Sequence, residues 1–304
     1  MSAILKPYLA IWQRTSPELR GILLMSLSTV GFAIMHTAIR YLSFDLSPFQ
    51  IAFFRNLFGF VIIVPIMLKS GMSIFRTNKI GWHASRSVLN ICAMFLYFNA
   101  LAVAEVAHVT ALAFSSPVFA SILAVLVLGE RFRLRRWVAI AMGFVGVLVV
   151  IRPGVIPLEA GPIMVVLSAF FWALVLTMTK IMSRTESSLT IVTYMNLFLA
   201  IYSLGPALWF WQWPTTEGWL LLLLIGVTGT AAQLCVTQSI RETDPTVVMP
   251  FDYLKLIWAA VLGFWVFGEI PDEFIWVGGT VIFASSFYLA WRENQLRKQG
   301  SDLA

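Results

Sequence analysis

Apolar runs of about 20 residues recur along almost the whole chain, and coiled as helices each would cross the roughly 30 Å hydrocarbon slab of a bilayer. Bounded by charges, prolines and glycines, they predict spans at 20–42, 47–68, 80–101, 106–128 and 134–151, and again at 161–182, 188–210, 217–240, 244–267 and 273–291. A soluble domain carries roughly 25% charged residues, whereas only 12% of these 304 residues are charged, 59% are hydrophobic and the mean hydropathy is +0.84. The expected fold is therefore an all-α integral membrane protein of about ten transmembrane helices, with short loops and no separate soluble domain.

The net charge of +6 does not point to nucleic acid, because the basic residues sit in short loops between apolar runs rather than along one face. They read as topology signals. With the N-terminus in the cytoplasm, 17 of the 21 Lys and Arg residues, among them Arg86, Arg131, Arg133, Lys180 and Arg184, fall in cytoplasmic segments. Only Arg40 and Arg152 fall outside, and Arg55 and Lys255 lie within spans. Both termini are then cytoplasmic. Cys92 and Cys235 also lie within spans, which argues against a disulfide framework or a zinc site. Lys6, Pro7, Arg14 and Pro17 interrupt any early apolar region, so no cleaved signal peptide is expected.

The two halves resemble each other. At an offset of 140, Ser28, Ala33, Arg40, Ser47, Ile51, Phe54, Asn56, Leu57 and Phe58 match Ser168, Ala173, Lys180, Ser187, Ile191, Tyr194, Asn196, Leu197 and Phe198. At an offset of 139, Asn99, Glu105, Val109, Gly129, Glu130 and Val138 match Gln238, Asp244, Val248, Gly268, Glu269 and Val277. The expected organisation is a cytoplasmic segment 1–19, a first five-helix repeat 20–154, a second 161–291 and a cytoplasmic tail 292–304. Because each repeat has an odd number of spans, the second enters from the opposite side, and the pair is inverted. Two near-equivalent halves that exchange roles are the physical basis of alternating access.

The paired Gly129-Glu130 and Gly268-Glu269, each closing the fourth span of its half, and the stretch PFDYLKLIWAAVLGFWVFGE from Pro250 to Glu269 resemble the EamA-type family of the drug/metabolite transporter superfamily. The resemblance covers essentially the whole chain. It implies a secondary transporter in a bacterial inner membrane, with a central cavity lined by the first, third and fourth helices of each half. It also implies a small-molecule solute such as an amino acid, a riboflavin-like vitamin or an S-adenosylmethionine-like compound, a broad drug/metabolite exporter being the alternative. No cofactor is expected.

An ionisable residue in the hydrocarbon region costs about 2.5–3.5 kcal/mol on insertion scales, so it normally faces the bundle interior with a partner or a task. Lys255 lies mid-span with Asp252 one helical turn earlier, as a structural ion pair or as part of a binding site. Arg55 is equally deep, tying helices together or meeting the solute. Together the three charges sum to a positive cavity, which favours a carboxylate or zwitterion. His36, Asn90, Ser116 and Gln233 are neutral polar candidates, each with a bland reading as a packed or cross-helix hydrogen-bonding residue. Tyr253 and Trp172 are aromatic walls suited to a heteroaromatic solute, in a chain rich enough in aromatics that most must face lipid. The candidate binding set is thus Lys255, Asp252, Arg55, Tyr253, Trp172, Asn90, Ser116, Gln233 and His36.

Pro117 and Pro250 each remove a helix hydrogen bond within a span, giving a hinge or a tolerated kink. Glu130 and Glu269 read as structural residues at helix ends. Ala139, Gly143 and Gly146 form a small-residue stripe for packing within the chain, a homodimer contact being the alternative. An intramembrane enzyme is disfavoured: there is no HExxH or GxSxG, no second intramembrane Asp to pair with Asp252 and no phosphate-binding glycine loop.

Overall fold

The structure is a computed structural model that describes residues 15–70, 77–116, 118–120, 122–123, 134–152, 160–182, 185–243 and 245–301. Pro117, Gly129, Glu130, Asp244, Arg131, Arg133, Arg184 and the segment 1–14 lie outside the described residues. Helices α1 (Pro17–Leu42), α2 (Pro48–Ser70), α3 (Ile80–Val103), α4 (Val106–Ala113) and α5 (Leu134–Ile151) come first. They are followed by α6 (Ala160–Met182), α7 (Ser188–Trp209), α8 (Thr216–Glu242), α9 (Pro245–Asp252), α10 (Leu254–Phe267) and α11 (Glu273–Ser301). Among the described residues there is no strand.

Local chemistry sets the ends. Ser16 accepts the Leu19 amide at 3.3 Å with Pro17 at the first helical position, and Ser187 and Thr215 accept the Thr190 and Gly218 amides at 3.0 Å. At the far end of α10, Gly268 adopts φ 71°, a left-handed cap that disfavours any side chain, and its N–H returns to the Phe264 carbonyl at 2.9 Å.

Among the described residues, six helices are long and apolar enough to cross a membrane: Pro17–Leu42, Pro48–Pro65, Ile80–Val103, Ala160–Thr179, Ser188–Trp209 and Thr216–Glu242. The remaining expected spans coincide with shorter apolar helices at Val106–Ala120, Ala141–Ile151, Leu254–Phe267 and Glu273–Ser285. Two of them are not continuous, which uniform apolar runs do not foretell. The fourth turns at Phe114 and Ser115, whose amides bond three residues back to Ala111 and Leu112. Proline at 117 has no N–H to return to position 113, which accounts for the loosening there. The ninth breaks at Tyr253, three residues after Pro250 rather than at the carbonyl that proline frees. Phe114 and Tyr253 are themselves 139 residues apart, and their rings meet at 5.3 Å.

The closest helix pairings are α1 with α8, α5 with α11, α3 with α6 and α2 with α7. Met35, Ile39, Leu42, Ile51, Leu101, Leu112 and Leu222 form the largest apolar core, joining α1, α2, α3, α4 and α8. The α5–α11 crossing depends on glycine. A Cβ on Gly146 would lie 2.7 Å from Ile282 Cγ1 and 2.9 Å from the Gly278 carbonyl, and one on Gly143 would lie 2.8 Å from Ser285 Oγ. These two members of the small-residue stripe therefore pack inside the chain. Gly146→Val is expected to destabilise by about 1–3 kcal/mol through overpacking, lowering the unfolding midpoint by several degrees, read from tryptophan fluorescence in detergent. Gly205→Ala, where an added Cβ meets nothing within 4 Å, is the control and should be neutral or mildly stabilising.

Candidate solute-binding site

Lys255, at the start of α10, points its ammonium at Asp252, the last residue of α9, with Nζ 2.9 Å from Oδ1 and 3.2 Å from Oδ2. The same ammonium stands 5.4 Å from the Phe32 ring centre and 5.6 Å from that of Phe114, so aromatic faces on two other elements share the cation. Both charged side chains remain partly exposed, at 18% and 25%. The pair is thus not sealed in a core.

Across from it, His36 on α1 is buried between Phe32 and Tyr97, with the Tyr97 hydroxyl 3.3 Å from Nδ1. One neighbourhood therefore holds charged or polar groups from α1, α3, α9 and α10, linked through Phe32.

Arg55 is 3% exposed on α2. Its Nη1 donates to the side-chain carbonyl of Asn56 at 2.6 Å and to that of Asn196 on α7 at 3.2 Å, the two asparagines that stand 140 apart. Asn56 in turn donates to the Ala52 carbonyl at 2.7 Å and meets Met94 Sδ on α3 at 3.4 Å. Among the described residues no carboxylate lies within ion-pair distance of Arg55.

The other candidates divide. Tyr253 sits at the break between α9 and α10, but its hydroxyl bonds Thr280 Oγ1 at 3.1 Å and its ring packs on Phe283 at 4.5 Å, which commits it to α11. Asn90 on α3 is buried with neither amide atom partnered, and Ser116, just past the break in the fourth span, is buried with an unpartnered hydroxyl. Trp172 on α6 and Gln233 on α8 are half-buried. Among the described residues, no hydrogen bond, ion pair or ring contact ties either to the charged cluster. Asn99 and Gln238 are occupied locally, by the Phe95 carbonyl and by Glu242.

Sequence reasoning missed four participants. Asn56 and Asn196 were visible only as matching repeat positions, and Tyr97 as one aromatic among many. Arg86, counted as a cytoplasmic topology signal, is buried on α3 at 2% exposure, its Nε donating to Thr179 Oγ1 on α6 at 2.7 Å and its Nη1 unpartnered. A positive charge in the second turn of an apolar helix was the available signal.

Glu269 joins several helix ends. It pairs with Arg40 at 2.5 Å and accepts the Val106 amide at 3.2 Å, while Arg40 also donates to the Leu101 and Ala104 carbonyls.

Comparison with known proteins gives this geometry its context. The chain is 32% identical over 287 residues to a riboflavin transporter of Vibrio cholerae, an alignment covering 92% of this chain and 96% of the relative. It is 27% identical to an S-adenosylmethionine uptake transporter of Rickettsia prowazekii, covering 91% and 94% respectively. A solved crystal structure superposes with a TM-score of 0.59 at 19% identity, covering 88% of this chain and 98% of that one, which shows a shared fold. The family model for EamA-like transporters matches twice, over residues 19–152 and 159–291. A membrane-embedded, multi-pass transporter of a small metabolite, the chain belongs to the EamA-like transporter family.

Proposed function

We propose that this chain is a secondary carrier working by alternating access, with residues 20–154 and 161–291 as two inverted five-helix repeats in the inner membrane and both termini in the cytoplasm. The observation that carries the reading is Arg55, which bonds Asn56 and Asn196 at once, so that equivalent positions of the two halves meet at one buried cation. The helix pairings support it. Exchanging the halves turns the α1–α8 contact into the α6–α3 contact and leaves α2–α7 and α5–α11 in place, as a two-fold relation requires.

The solute fits a zwitterionic or heteroaromatic metabolite. Lys255, Asp252 and Arg55 supply both signs of charge, and Phe32, Phe114 and Tyr97 supply ring faces beside them. Relatives named for riboflavin and S-adenosylmethionine bracket that chemistry. His36, Asn90 and Ser116 complete the proposed lining, with Tyr253, Trp172 and Gln233 in outer positions.

The test is counterflow in proteoliposomes with labelled riboflavin and labelled S-adenosylmethionine, together with thiol-labelling of single cysteines placed at each terminus. Saturable exchange of at least one solute and labelling of both termini from the same side are expected. Termini on opposite sides would end the inverted-repeat reading. Exchange of neither, with a wider metabolite panel also silent, would end the assignment of the solute class.

A further inference from the structure

We propose that Arg55, Asn196 and Thr230 form a buried site for a small monovalent anion at the junction of α2, α7 and α8, and that in transport it takes the carboxylate of the solute. Three observations carry this. All three side chains are at least nine-tenths buried, at 3%, 0% and 1% exposure. Each has a polar atom without a partner: Arg55 Nε, Asn196 Nδ2 and Thr230 Oγ1. These atoms also lie together. Thr230 Oγ1 and Asn196 Nδ2 crowd the same face of Gly59, and Arg55 Nε lies 3.3 Å from where a Cβ on Gly229 would be. Gly229 immediately precedes Thr230, and Arg55 is already bonded to the Asn196 carbonyl oxygen. The absence of side chains on Gly59 and Gly229 is what lets these polar groups approach so closely: a Cβ on Gly59 would run into Thr230 Oγ1 and lie 3.0 Å from Asn196 Nδ2.

All three groups can donate, and their one fixed charge is positive. A buried cation held only by neutral acceptors is incompletely compensated, and three idle donors around it match the lone pairs of one carboxylate or halide. The Lys255–Asp252 pair is neutral as a unit and leaves the Arg55 charge without a counter-charge among the described residues, so a single negative charge balances it. The carboxylate assignment rests on the transporter reading. The anion site itself does not.

The experiment uses the full-length protein in detergent and in liposomes. Thermal unfolding is followed by tryptophan fluorescence while sodium chloride or sodium acetate replaces sodium methanesulfonate at constant ionic strength. Acetate at roughly ten times its dissociation constant should raise the wild-type midpoint by about 3 °C, and should leave Arg55→Gln unmoved. Thr230→Val, nearly isosteric, provides the second variant should Arg55→Gln fail to fold, and its shift should be at least halved. In liposomes, counterflow of S-adenosylmethionine should exceed that of its decarboxylated form at least tenfold. Stabilisation by chloride alone, without that discrimination, would overturn the carboxylate assignment and leave an inorganic anion as occupant. An absence of any anion-dependent shift in wild type, or equal shifts in both variants, would overturn the site whether or not flux is observed.

Discussion

Glu269→Ala is expected to lower the thermal unfolding midpoint by roughly 6–12 °C, corresponding to about 3 kcal/mol for a buried ion pair that loses one partner. The carboxylate stands 2.5 Å from the Arg40 guanidinium, and the two side chains are only 10% and 15% exposed. Its second oxygen accepts the Val106 amide at 3.2 Å. Arg40 also donates to the Leu101 carbonyl at 3.1 Å and to that of Ala104, and lies 5.2 Å from the Phe267 ring centre. One contact thus ties together the ends of α1, α3 and α10 and the start of α4. Alanine leaves a buried cation with only carbonyls and a ring around it, and it strands the amide that opens α4.

The pair's net worth is a different quantity from the cost of breaking it. Replacing both partners by hydrophobes of similar volume is often neutral, because the desolvation of two charges disappears with their attraction. The double variant Arg40→Met with Glu269→Met should therefore recover most of the lost midpoint, and Glu269→Gln, which can still accept from Val106, should fall between. A single Glu269→Ala variant that unfolds within 2 °C of wild type would show that water already screens Arg40, and the buried-knot account would fall.

The positions of the helices were legible because span length and composition are local properties. Each of the six long helices and of the shorter apolar ones overlaps an expected run, and none overruns it by more than three residues. The break at Phe114 and Ser115 had a local sign in Pro117, whereas the break at Tyr253 falls a turn beyond Pro250 and had none of its own. Deep charges were equally visible, since Arg55, Asp252 and Lys255 stand out against apolar neighbours. Which of them converge was not visible. Convergence depends on how each helix is rotated about its axis, and that is decided by contacts such as Arg55 with Asn196, made across 141 residues. For the same reason Tyr253 looked like a cavity wall until its hydroxyl proved to be engaged by Thr280. Arg40 and Glu269 read as an outer arginine and a helix-end glutamate, with nothing local to announce that they meet.

Lys255→Met should weaken the apparent affinity for the transported solute by roughly 10–150-fold, the equivalent of a hydrogen bond to a charged group at about 1.5–3 kcal/mol. The lysine has two roles that this variant alone does not separate: it neutralises Asp252 at 2.9 Å, and it offers its remaining donors, between the rings of Phe32 and Phe114, to whatever enters. If neutralisation were its only role, the harm done by Lys255→Met would come from a lone, partly buried carboxylate, and adding Asp252→Leu would cure it. If the ammonium binds solute, the double variant should regain thermal stability while its exchange stays as weak as that of the single variant. Lys255→Arg, which keeps the charge and can still pair with Asp252, should retain at least a tenth of wild-type exchange. The decisive comparison is the concentration dependence of counterflow for the single and double variants, with unfolding midpoints measured on the same preparations. A double variant that exchanges as well as wild type would reduce the Lys255–Asp252 pair to a strut and move the binding site away from the break between α9 and α10.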